Sequence, residues 1–441
     1  VEAIVERIAG VNELMDHAVG YSGRRPPQWD NFIELRNTAS TGELLALTRH
    51  SNGVVRCYAF WALTGRDQVD LFPLVLEHID DHEEVRYLFG DQGGTLRVGD
   101  FYIDQVQSSL TPDQKEELRR ILLVRDNELS ATAEVLRAIQ PEAQWYPRIR
   151  TLAQQGNPDA LVLLSQYRKE QDIEVILAQY EKAIENDGSL FHIYGAARHY
   201  PHPALFPVLE QRFALALAED YPSNATRELY LAIAGYQDEA AMHLLSRTFT
   251  EANSLDSREG HLLALYTAAE TYRNPLYDEL LWKLWVEHHY VTRDLVQYLY
   301  PKDQARALRA IKASLTEPYR VYFADLDAAI PPMLRLLLAA DHEAAVEIMR
   351  DNLLTAHVHI FRPFARVAAE ILDDALIEPL FSRLESDSNM HIYVAAGLAL
   401  LLYEDEEIDQ RLGRVDKLGP EFVVGWRDAG SERIRSYLNA H

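Results

Sequence analysis

The sequence predicts an all-α fold, a solenoid of antiparallel helix pairs with essentially no strand. Three observations carry this. Aromatic residues recur in pairs: Tyr167 with Tyr180, Tyr200 with Phe213, Tyr236 with Phe249, and Tyr272 with Trp285. Each pair is 13 residues apart, and the anchors step by 33, 36 and 36. A period of that size marks stacked helical repeats, each burying its apolar face against its neighbours. Proline repeats as well. Pro73, Pro147, Pro207 and Pro379 stand in LFPLVLEH, WYPRIRTL, LFPVLEQR and IEPLFSRL. Each falls near the start of the second helix of a pair, where a missing N–H costs little. Finally, no segment sustains the period-2 alternation of a half-buried strand.

Residues 1–19 read as one amphipathic helix, with Ile4, Val5, Ile8, Val11, Leu14 and Met15 at i, i+3/i+4 spacing. GYSGRRPPQW then breaks the helix, so 20–31 is expected to be a loop. Thr41 is a candidate cap for GELLALTRH. HSNGVVRCYAFWALTGR (50–66) reads as a turn and a helix, VDLFPLVLEHIDD (69–81) as the next helix, and HEEVRYLFG (82–90) as the start of another. Val55-Arg56 and Val85-Arg86 lie 30 residues apart and give a second sighting of the repeat. DQGGTLRVGD interrupts it, and 90–100 is expected to be an inserted loop. Residues 1–126 are therefore the less regular part. From 127 to 441 the helix pairs are regular, apart from a degenerate unit at YFADLDAAIPPMLRLLLAAD, and SERIRSYLNAH closes the chain as a cap. One continuous solenoid of about ten pairs is expected.

The stretch IEPLFSRLESDSNMHIYVAAGLALL (377–401) resembles the HEAT-like repeat of the phycobilisome-lyase type. Pro379, Leu380, Leu384, Asp387, Ala395, Ala396 and Leu398 match that pattern, and Ile392-Tyr393 stand near the place of its arginine. Pro73, Leu74, Asp80, Val85 and Arg86 match its front half elsewhere, and Val55, Arg56, Ala59, Ala62 and Leu63 its back half. The resemblance implies a right-handed superhelix. It does not imply lyase activity, because such repeats serve many unrelated proteins.

The chain carries 68 acidic and 43 basic residues, a formal net charge of −25. That charge repels phosphate backbones and anionic membrane surfaces, so neither nucleic acid nor membrane is an expected partner. It is compatible with a basic protein partner, and equally with charge that serves solubility alone. Cys57 is the only cysteine, which excludes an intrachain disulfide or a cysteine-built metal centre and fits the cytoplasm best. No cofactor is expected.

The histidines show no metal-ligand spacing. His78 and His82 fall where the repeat places a turn, His288-His289 point apart, and His357 and His359 lie on opposite sides of a helix. No HExxH, nucleophile elbow or phosphate loop is present. Cys57 sits in an apolar helix and reads as a core residue. Asp325/Asp327 and Asp373/Asp374 carry no catalytic spacing. What remains are two departures from the repeat and one turn. Arg24, Arg25 and Trp29 combine residue types common at binding hot spots with prolines that lower the cost of ordering. Arg97 stands in the second expected loop, and His199 and His202 bracket a Pro-rich turn. These six are the candidate partner contacts; the bland alternatives are linkers and turns. The expected function is a non-enzymatic scaffold that binds a protein or peptide on the concave surface. The alternatives are an inhibitor or immunity-type protein that neutralises a basic enzyme, and a repeat-built enzyme or nucleic-acid binder, which the charge disfavours.

Overall fold

The computed structural model describes residues 1–441 apart from 68, 126, 128, 220, 253–254, 321, 324–325 and 441. The carboxylates of Asp325 and Asp327 lie outside the described side chains. Helix dominates and the fold is all-α, built of repeated helices. The chain divides into two compact units, Val1–Leu205 and Phe206–His441. No helix among the described residues is long and apolar enough to cross a membrane.

The first unit departs from the helical expectation at its start. Its opening helix is Glu2–Val11, and it stops because Asn12 turns left-handed at φ 50 while its N–H bonds the Ile8 carbonyl. Leu14–Val19 is a strand, β1. It pairs in parallel with β2, Glu84–Gly90, setting Leu14 against Tyr87 and Met15 against Leu88. β2 pairs antiparallel with β3, Gln92–Arg97, and the order is β1-β2-β3. The helix expected to start over 82–90 and the loop expected at 90–100 are therefore one hairpin. Its two-residue turn puts Gly90 at φ +57, a position that mirror-image hairpin turns reserve for glycine. Val85, Tyr87 and Phe89 are β-branched or aromatic, and Phe89 packs edge-on against Trp61 with centroids 6.2 Å apart.

The loop expected over 20–31 is shorter. Val19 and Arg24 exchange both backbone hydrogen bonds at 2.9 Å, and helix resumes at Pro27–Thr38 with proline in its first turn. Beyond the sheet the unit becomes regular. Helices Ser130–Ala138, Pro158–Gln166 and Phe191–His199 pack in succession, with Leu161, Leu164, Ala196 and Ala197 buried between them.

The second unit is a run of helix pairs. First helices pack on first helices: Asn224–Ala234 on Leu255–Tyr272, and Leu326–Ala340 on Val358–Ile371, which packs on Met390–Leu401. Buried Ala232, Ala268, Ala365, Ala368 and Ala396 permit the close approach. The unit that reads as degenerate is a regular first helix that tolerates Pro331 and Pro332 inside it, paired with His342–Thr355. One-turn 3-10 segments lead into second helices in both units, at Glu170–Asp172 in the first and at Pro275–Tyr277 and Asp374–Leu376 in the second, which is the repeat seen in the backbone itself. A two-residue parallel pairing, β4 Tyr290–Val291 with β5 Tyr322–Phe323, is a minor second exception to helix. The helix Ser431–Ala440 closes the unit against Val358–Ile371 and Met390–Leu401, burying Ile434 and Leu438.

Candidate partner-binding groove

In the second unit, four successive second helices line one cavity of about 920 Å3. They are Phe206–Ala216, Glu239–Ser246 with its continuation Thr248–Glu251, Asp278–His288 and Gln304–Thr316. The first helices meet through alanines. These second helices meet through long charged side chains, which leaves space between them. The cavity's apolar lining is Phe206, Ala240, Leu244, Leu280 and the half-buried Phe249.

The charges are paired along and across the helices. Arg247 donates two bonds to Glu251, from Nε at 2.9 Å and Nη2 at 2.8 Å, at i, i+4 spacing. Arg306 crosses between helices and donates to Glu279 Oε1 at 2.8 Å. Lys283 lies 3.9 Å from Glu287. The Phe249 ring has two neighbours, the Lys283 ammonium at 4.3 Å from its centroid and a near-parallel His288 ring at 5.4 Å. The bond to Glu251 raises the Arg247 guanidinium above its ordinary value and holds the Glu251 carboxyl below its own. Burial, with Lys283 adding to it, lowers the His288 imidazole.

The six residues singled out in the sequence lie in the first unit and do not converge. Arg24 and Arg25 flank the turn that Gly20 docks onto Gly90 through a 2.7 Å backbone bond, so the two departures from the repeat do touch. Arg25 pairs with Asp30 at 2.8 Å. Trp29 points the other way, into a ring cluster with His17, Phe32 and Trp61 at 4.8–6.0 Å. Arg97 sits at the far end of β3, 4.0 Å from Glu84. His202 Nδ1 accepts from the Ala204 N–H at 3.2 Å, which places its proton on Nε2, 3.0 Å from Glu170. The His199 carbonyl accepts from Arg168 at 3.1 Å.

A second polar cluster in the first unit is structural in its geometry. Arg56 donates to Asp81 at 2.9 and 3.0 Å, to Glu83 at 2.6 Å and to the His50 carbonyl at 2.8 Å. His78 Nδ1 meets the same carboxylate at 3.2 Å. Burial by itself would raise the Asp81 carboxyl, but the bonds from His78 and Arg56 outweigh it and hold it below its ordinary value. Arg56 is the arginine of the Val-Arg pair, here tying its helix, Gly53–Thr64, to the turn beyond the next helix. Cys57 beside it is fully buried, and burial pushes its thiol well above the ordinary value.

The groove was not among the residues picked from sequence. Phe249 reads there as repeat core, and only the i, i+4 pairs Arg247/Glu251 and Lys283/Glu287 hinted at a charged helix face. No protein-family model matches the chain, and no curated protein matches its sequence.

Proposed function

We propose that this protein is a non-enzymatic helical-repeat scaffold, of HEAT-like type, that binds a protein or peptide segment in the groove of its second unit. The observation that carries the reading is the cavity of about 920 Å3 floored by four consecutive second helices, with the half-buried Phe249 in its lining. A groove formed by successive repeats offers an elongated contact area, which suits a chain segment better than a small metabolite. A partly exposed aromatic ring amid paired charges has the composition of a binding hot spot.

The test is site-specific photo-crosslinking in cells that express the protein. A benzophenone residue is placed at position 283 in the groove, or at exposed Val124 in the first unit as control. Discrete adducts from 283 that vanish in a Phe249→Ala background support the reading. Adducts that are the same from both positions, or that ignore Phe249, overturn it.

A further inference from the structure

Resting on that reading, we infer that the groove's occupant is a basic amphipathic peptide segment, with Lys or Arg beside a large apolar side chain. The argument is the direction in which the paired charges face. In each of the three ion pairs the cation is the more buried member. The side-chain exposures are 28% for Arg247 against 46% for Glu251, 38% for Lys283 against 59% for Glu287, and 31% for Arg306 against 77% for Glu279. Two of the three cations are folded down onto rings, Lys283 over Phe249 at 4.3 Å and Arg306 over Trp282 at 4.6 Å. Their charge is spent on the floor and on their partners.

The carboxylates stand outward. Glu210, also exposed on the lining, adds a fourth carboxylate against three cations. A molecule arriving at the groove therefore meets an acidic rim over an aromatic and aliphatic floor. An apolar side chain packs on the lining formed by Phe206, Phe249, Leu244 and Leu280, while a neighbouring ammonium or guanidinium reaches the outward oxygens of Glu251, Glu279 or Glu287. An acidic segment of the same shape meets repulsion at the rim, and Lys283 and Arg306 cannot answer it without leaving their rings, nor Arg247 without leaving Glu251. The net charge of −25 adds long-range attraction of the same sign.

A phage-displayed library of random linear peptides tests this. It is selected on the full chain and counter-selected on Phe249→Ala, with thermal melts run on every variant. The expected result is groove-dependent peptides enriched in Lys or Arg next to Trp, Tyr, Phe or Leu. Their synthetic versions should bind less tightly as salt rises. The triple variant Glu251→Gln, Glu279→Gln, Glu287→Gln should weaken them about tenfold, the sum expected of three exposed charge contacts, with an unchanged melt. Groove-dependent peptides that are acidic or uncharged, or whose affinity ignores salt and the triple variant, overturn the inference while leaving the groove reading in place. If no selected peptide depends on Phe249, the groove reading fails and the inference with it.

Discussion

The Tyr58 hydroxyl satisfies both backbone groups of Met15: it accepts from the Met15 N–H at 2.7 Å and donates to the Met15 carbonyl at 2.9 Å. A side chain from the helix Gly53–Thr64 thus does for β1 what another strand would do, and bonds both polar groups of one β1 residue. Tyr58→Phe should cost about 1–3 kcal/mol, because a part-buried donor and acceptor lose their partner together. Urea denaturation measures the loss, and faster hydrogen exchange at the Met15 amide should accompany it. An unchanged exchange rate would show that the bond does not hold the strand.

The Arg56–Asp81 pair is nearly enclosed, and removing one partner leaves a charge without its counterion. Arg56→Met should destabilise the first unit by about 3 kcal/mol, toward the lower end for broken buried pairs because His78 still bonds Asp81. The pair also sets a pH dependence. The Asp81 carboxyl is lowered in the folded state, so its stabilisation is present above the ordinary carboxylate range and is lost as pH falls through the folded value. Stability measured below about pH 4 should fall less steeply in Asp81→Asn than in the parent chain.

His261 works in a different window. It is fully buried in the second unit, with Nδ1 3.1 Å from the Tyr230 hydroxyl, which also meets Thr248 Oγ1 at 3.0 Å. Burial lowers its imidazole below the ordinary value. The unfolded chain then binds a proton before the folded one does. Stability is complete above the ordinary imidazole range and declines as pH drops from about 7 toward 5. Equilibrium unfolding of His261→Gln across that range should show a shallower pH slope. Equal slopes would contradict the assignment.

Core and groove aromatics separate cleanly by substitution. Trp285 is buried, stacks in parallel on Trp282 at 5.7 Å and donates to Ser314 at 3.0 Å, while Phe213 meets Tyr230 edge-on at 4.9 Å. Trp285→Ala and Phe213→Ala should each cost about 3–5 kcal/mol. Phe249→Ala removes a half-buried ring and should cost only about 1–2 kcal/mol, drawn from lost area and its contacts with Lys283 and His288. Chemical denaturation of the three variants side by side decides it. A Phe249 loss as large as that of Trp285 would place it in the core.

Gly99 shows how tightly the helix that follows β3, Val98–Val106, is seated. A Cβ there would lie 2.8 Å from the His78 carbonyl oxygen and 3.0 Å from Leu129 Cδ2. Gly99→Ala should destabilise the first unit by about 1–3 kcal/mol, since the nearest obstacle is backbone. A melting temperature equal to that of the parent would show that the backbone gives way there.

The sequence by itself determined the helical repeat. Its period is written in local signals: aromatic anchors at 13-residue spacing, prolines at helix starts, and apolar faces at 3.6-residue spacing. Each is read within one or two turns of chain, and Phe213, Trp285 and Pro379 fall where that pattern puts them. Only the tertiary structure decided the rest, because the deciding contacts join residues far apart in the chain. Leu14 and Met15 continue an apolar helical pattern, yet they form a strand, since β2 on one side and the Tyr58 hydroxyl on the other supply its partners. The β2–β3 hairpin was partly legible in Val85, Tyr87, Phe89 and the Gly90-Asp91 turn, but β2 is held between strands on both sides. The groove was illegible for the same reason. Glu279 and Arg306 are 27 residues apart, and nothing local tells a charge that folds onto a ring from one that faces water. Which member of each pair points outward is settled by packing between helices, and that direction is what gives the groove its acidic rim.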